Sequence, residues 1–284
     1  MNFKRTILLL TALIICSVSA FAQGPSLLKR TTYKTDRFDF GVGGSLVVTG
    51  APTGSIRIEG WSNREVEISA EIEVQASTEA DLKLLSEVTS FALEESLGRI
   101  GVVSVGSNDK KYLKKIGRKL PKALLGLPFR IDYVIKVPKY CDLQITGGKG
   151  DLSISDVEGV MNLNYLETNA TLDLVGGAVK AVFGSGSVIV SVPSASWRGR
   201  YADIQLATGT MDVHLPPSLN AEVDATVLRT GKVENDYEQF KPRIRTAKFT
   251  DKSVIAKSGV GGISLKFTVG DGTLRITPKI RAQM

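Results

Sequence analysis

The sequence predicts an all-β chain: a single-stranded parallel β-helix, or β-solenoid, with a short helix and antiparallel strands in its N-terminal part. Three observations lead there. Several stretches alternate polar and apolar residues with period two. The chain carries 28 glycines, enough to serve many turns. From Gly147 onward a short unit with a small residue at its corner recurs to the end of the chain.

The first residues are set aside before the fold is considered. Lys4 and Arg5 precede an apolar run from Ile7 through Phe21, and Ala20-Phe21-Ala22 supplies a small-x-small cleavage pattern. Residues 1–22 are therefore expected to be a signal peptide. Thr11, Ser17 and Ser19 interrupt the run, which falls short of the about 20 apolar residues a spanning helix needs. No later segment is long and apolar enough, so no transmembrane segment is expected in the mature chain. Cys16 follows Ile14 and Ile15, where a lipid-modified cysteine would follow a small residue. Cleavage leaves Cys141 alone and excludes an intrachain disulfide, so packing must supply stability. The expected location is the periplasm, the cell envelope or the exterior.

The formal charge of +7 falls to +5 on cleavage, because Lys4 and Arg5 leave and no acidic residue goes with them. A basic chain outside the cytoplasm meets phosphorylated lipids and acidic polysaccharides rather than nucleic acid. An anionic membrane surface and an acidic polysaccharide are accordingly the partner classes considered.

Residues 23–36 are polar without a clear period and read as a flexible leader, with a single domain over 37–284. Ser55–Ile58 and Glu65–Val74 alternate as strands with one wet face. Thr78 reads as a helix N-cap, with Asp81 three residues on and Leu82, Leu84, Leu85 and Val88 following. Phe91–Val105 returns to strand composition around a hairpin turn at Gly98, and Phe129–Ile145 is a further strand region bent at Val137-Pro138. Between these two lies a basic insertion at about 107–128.

The repeated unit reads Gly150-Asp151-Leu152-Ser153-Ile154, Ala170-Thr171-Leu172-Asp173-Leu174, Gly186-Ser187-Val188-Ile189-Val190, Gly209-Thr210-Met211-Asp212-Val213 and Gly231-Lys232-Val233-Glu234, at gaps of 20, 16, 23 and 22 residues. Earlier and later copies stand at Gly54-Ser55-Ile56-Arg57-Ile58 and Gly272-Thr273-Leu274-Arg275-Ile276. Glycine reaches positive φ without steric cost, so it can turn the backbone at the same corner of each unit. Where Ala170 stands instead, Asn169 is expected to take the left-handed conformation. One such unit cannot bury its apolar side, whereas stacked units bury a continuous column. The competing architecture is a β-sandwich, which also uses short strands punctuated by turns.

Gly54–Trp61, Tyr133–Pro138, the recurring Thr/Ser-Gly corner and His214-Leu215-Pro216, in this order behind a signal peptide, resemble the bacterial putative adhesin family, a domain family of unknown function. The resemblance spans most of the mature chain. It implies an exported parallel β-helix with no catalytic residues to carry over. The basic insertion departs from that pattern.

The search for chemistry is consistent with a noncatalytic module. His214, the lone histidine, falls by alternation on the outer face of a strand, with no visible nucleophilic partner. One histidine and one cysteine make no closed zinc site, and the aspartates are scattered, so neither metal nor cofactor is expected. Asp212 and Glu234 occupy equivalent places in two units. On adjacent strands they would approach the about 5 Å separation of a retaining glycosidase, which keeps a polysaccharide-acting β-helix enzyme as the alternative function. An envelope-stress or assembly factor is the other.

Among the aromatics Tyr133, Tyr140, Tyr165, Trp197 and Tyr201, the pair Trp197 and Tyr201 is the expected exposed contact for a glycan. Lys110, Lys111, Lys114, Lys115, Arg118, Lys119 and Lys122 crowd the insertion together with Tyr112, Leu113, Ile116 and Leu120. Helical spacing would gather these apolar residues on one side, although Gly117 and Pro121 rule out a long helix. This basic amphipathic stretch is the candidate anionic-surface site.

Overall fold

The computed structural model describes residues 27–41, 43–96, 98–193 and 197–279; the expected signal peptide lies outside the described residues. Alternation dominates the local structure. In β10 (Glu158–Asp173), Met161, Leu163 and Tyr165 are buried, Leu166 and Glu167 are both exposed, and burial resumes at Thr168, Ala170 and Leu172. That single slip of phase divides the strand into two halves. It recurs along β11 (Gly176–Ser191), β12 (Arg198–Leu215) and β17 (Ile263–Pro278), whose pairings omit Gly184, Ala207 and Gly270 at the matching place.

The long strands therefore serve two ladders within one mixed 17-stranded sheet that does not close. The first ladder runs from the hairpin β5 (Ser90–Ser96) and β6 (Arg99–Val105) through β2 (Ser45–Thr49) and β8 (Asp142–Lys149) into the first halves of β10, β11, β12 and β17. It ends on β13 (Ala221–Val227), β16 (Ser253–Ser258) and β15 (Lys241–Pro242). The second runs from β1 (Leu28–Asp39) through β4 (Glu65–Ala76), β7 (Phe129–Pro138), β3 (Ile56–Trp61) and β9 (Leu152–Ser155) into the second halves of the long strands, and ends on β14 (Gly231–Asn235). From β6 and β7 through β17 every pairing is parallel. The antiparallel partners sit at the two extremities, as expected for the N-terminal part and in addition at the far end.

Matching positions stack their side chains inward. Leu46, Leu143, Met161, Val179, Ala202 and Leu265 form one such row in the first ladder, all buried. At the corner of the second ladder Gly186, Gly209 and Gly272 are in direct register. Gly209 has φ +138, and a Cβ there would lie 1.9 Å from the Gly186 carbonyl oxygen. The same overlap meets Gly54, Gly150, Gly231 and Gly272, so the glycine serves close stacking of neighbouring backbones as well as an unusual φ.

Three sequence expectations are corrected. Thr168, not Ala170, is the residue opposite Gly186; Ala170 faces Val188 and points inward. Asn169 does not adopt positive φ, so no left-handed substitute exists in that strand. The expected leader is a strand from Leu28 on: β1 pairs antiparallel with β4 through an unbroken register from Leu28↔Ala76 to Asp39↔Glu65. Its residues are polar on both sides because it is the edge of the sheet, which is why its period carried no apolar signal.

The helix α1 (Glu79–Val88) forms where expected, with Thr78 accepting from the Asp81 amide at 3.1 Å and Leu82, Leu85 and Val88 buried. Gly98 turns the β5–β6 hairpin with φ +69. Cys141 is buried, and burial pushes its thiol up to about 12, as fits a structural cysteine.

Candidate anionic-surface site

The link from β6 to β7 is a folded lobe rather than a loose loop. The Asp109 side chain accepts from the Tyr112 amide at 2.9 Å and starts the short helix α2 (Lys110–Lys115), which ends at Ile116 before Gly117 turns with φ +68. A 3₁₀ turn follows at Lys122–Leu124. Leu113 and Leu124 are buried beneath the lobe, and the Ser107 hydroxyl donates to the Leu127 carbonyl at 3.2 Å. These contacts seat the segment on the body of the protein.

Lys110, Lys111, Lys114, Lys115, Arg118, Lys119 and Lys122 are all exposed on this lobe. Among the described residues one carboxylate reaches them: Glu87 of α1, 3.1 Å from Arg118. Asp109, the acidic residue within the segment, is committed to the cap. Local positive potential is therefore left uncompensated, in contrast to clusters such as Arg37 with Glu65 and Glu67 or Lys136 with Glu67. The apolar residues do not share one helical face. Leu113 turns in, Leu120 is half-buried, and Ile116 is exposed. Sequence reasoning missed the Leu124-Leu125 pair, in which Leu124 anchors and Leu125 is exposed beside the lysines. Two adjacent apolar residues in a tight turn cannot both face inward, which was the available signal.

The other candidates fare differently. Trp197 is 5% exposed, its ring packed over Gly199, so it offers no open face to a glycan; Tyr201 is half-exposed and stands without it. Tyr133 and Tyr165 are also core residues, and Tyr140 is exposed. His214 is half-buried, its Nδ1 2.8 Å from the Thr277 hydroxyl.

Asp212 and Glu234 are not neighbours. Strand β17 lies between their strands, and Arg275 pairs with Asp212 at 3.1 Å and with Glu234 at 3.0 Å. Lys232 and Arg275 hold the Glu234 carboxyl below its ordinary value. A general acid requires the opposite shift, and a guanidinium fills the space a reacting sugar would need. The closing copy of the repeat had placed an arginine at the position matching Asp212 and Glu234, and its insertion between them was the part sequence order concealed.

No family model matches the chain, and no curated protein matches it in sequence. Among solved structures, a putative cell adhesion protein from Clostridium sporogenes is 13% identical over 88% of this chain and all of its own, with a TM-score of 0.50. A putative adhesin from Bacteroides fragilis is 10% identical over 87% of this chain and 97% of its own, with a TM-score of 0.38. A putative lipid binding protein from Parabacteroides distasonis is 10% identical over the same shares, with a TM-score of 0.25. At these identities the likeness to the Clostridium protein bears on the all-β fold alone.

Proposed function

We propose that this chain is a noncatalytic, adhesin-like exported module of the cell envelope or secreted fraction, in which a parallel β-solenoid carries a basic lobe to an anionic surface or polymer. The solenoid reading is supported by the in-register parallel halves and the aligned corner glycines. The observation that carries the binding role is the seated lobe, whose exposed cations have Glu87 as their one acidic partner among the described residues. Charges that only needed solvation would not require a capped helix and two buried leucines to hold them together. The glycosidase reading loses its support with Arg275 between the two acids.

Exposed cations act over about 8 Å at physiological salt, so binding should be steeply salt-dependent. Vesicles containing anionic lipid, and in parallel an acidic polysaccharide, should retain the protein at low salt and release it at high salt. Replacing Lys114, Lys115, Arg118 and Lys119 together by glutamine should weaken retention by about three orders of magnitude, at about 1 kcal/mol per cation, with the melting temperature preserved. A wild-type protein that ignores both surfaces at low salt would refute the proposal.

A further inference from the structure

We infer that the anionic partner of the lobe is a lipid bilayer, and that Ile116 and Leu125 enter the boundary between its headgroups and acyl chains while the cations around them hold the headgroups. The inference rests on the binding role proposed above and goes further in naming the surface.

From Lys110 to Pro128 the chain has seven cations, no acidic residue, and no serine, threonine, asparagine, glutamine or histidine. Tyr112, half-buried, carries the one neutral hydroxyl, and the other side chains are apolar. A polysaccharide is held largely through its hydroxyl groups, by neutral donors and acceptors and by aromatic faces. Such groups exist on the outer face of the first ladder, where Gln144, Thr146, Asn162 and Asn164 are exposed. The lobe has no counterpart to them. Cations beside apolar side chains are instead the composition that suits a headgroup layer over an acyl layer.

Two turns give that composition a shape. At the end of α2 the Ile116 amide donates to the Tyr112 carbonyl at 3.0 Å, and the Arg118 amide returns to the Leu113 carbonyl at 3.0 Å around Gly117. In the 3₁₀ turn the Leu125 amide donates to the Lys122 carbonyl at 3.3 Å, and Gly126 follows with φ +81. Each turn thus has a buried leucine as anchor, Leu113 or Leu124, and an exposed apolar residue before a positive-φ glycine, Ile116 or Leu125. A Cβ at Gly117 or Gly126 would meet nothing within 4 Å, so both turns stand clear of the body. Single exposed apolar residues are common on any surface. Here Pro121, Ala123 and Pro128 are exposed with them, and Lys114, Lys115, Arg118, Lys119 and Lys122 flank them along the chain. Long cationic stems can reach back to anionic headgroups while the apolar tips go deeper, so charge complementarity and apolar exposure name the same partner.

The test compares the processed full chain with a double variant, Ile116→Ser with Leu125→Ser, which keeps every charge. The probes are vesicles of equal parts phosphatidylglycerol and phosphatidylcholine, and polygalacturonate, which offers negative charge without an acyl layer. Both substitutions lie at exposed positions, so the melting temperature should be preserved. The double variant should bind the vesicles about tenfold more weakly and leave them at lower salt, while polygalacturonate treats the two proteins alike. Leu125→Cys carrying an environment-sensitive dye should shift its emission to the blue on the vesicles and not on the polymer; Cys141 is buried and stays unlabelled. Equal vesicle affinity with a dye that remains in water overturns the inference and leaves the charge-based binding role standing, as does a wild-type protein that binds polygalacturonate and not vesicles. Equal weakening on both probes also overturns it, because the two side chains would then support the lobe rather than enter lipid. A wild-type protein that binds neither probe at low salt removes the binding role and this inference together.

Discussion

The middle of the sheet and its two ends are built by different rules. From β8 through β12, order in space follows order in sequence, so each strand pair docks on the one made just before it. At the ends the orders part. β2 and β3 lie between β6 and β7 on one side and β8 and β9 on the other. β17, the last strand among the described residues, lies between β12 on one side and β13 and β14 on the other. Local stacking is enough to build the middle, whereas each end is closed by a strand that comes from far along the chain.

The largest expected effect tests whether the middle tolerates any loosening. Gly209→Val combines a positive φ with overlap onto the Gly186 carbonyl, and should cost about 4 kcal/mol or more. Gly231→Val meets the same overlap against Gly272, but β14 is short and terminal and can release while the rest stays paired. Its cost should be about half as large, and confined to β14 amides in hydrogen exchange. Equal global losses in thermal unfolding would show that the ends are as cooperative as the middle.

A smaller effect distinguishes the two regions by how they unfold. Leu172→Ala and Leu274→Ala both empty a buried leucine and should each cost about 3 kcal/mol. In the middle, Leu172→Ala should lower one single transition. Leu274 holds β17 against β12 and β14 together, so Leu274→Ala should split off a low-temperature step in calorimetry as β13, β14 and β16 detach. A single transition for both would erase the distinction.

How much could be read in advance follows the same division. Corner glycines, the Thr78 cap and the Gly98 hairpin were legible because each is a local signal. The Thr168 position was misread because threonine gives no turn signal, and only pairing to Gly186 identifies it. β1 was read as a leader because an edge strand without apolar alternation looks like a linker. Arg275 between Asp212 and Glu234, and the burial of Trp197, depend on contacts across long stretches of chain. In the candidate site the basic run itself was evident; its seating by Leu113 and Leu124 was half visible.

The mildest effect is acid-dependent and belongs to the far end alone. The Arg229 guanidinium and the Thr230 amide hold the Asp271 carboxyl down to about 2 from an ordinary 3.8. A carboxyl lowered in the folded state stabilises it fully above its unfolded value, and that contribution is lost as pH falls from about 4 toward 2. Arg229 and Thr230 lead directly into β14, so β14 amides should lose protection in this window before those of β10 and β11. Asp271→Asn should give the unprotected behaviour at neutral pH; identical pH profiles in the two proteins would remove this link.

The position of β17 makes the fold sensitive to whether the chain is whole. A product ending before Ile263 would leave β12 with a bare parallel edge, and would leave β13 without its strand neighbour on that side and β14 without its strand partner. Such a product would display unpaired backbone and an opened apolar row, the features that proteases and chaperones recognise. β17 thus acts as a seal on strands that precede it: a copy interrupted before Ile263 would be marked by its own structure.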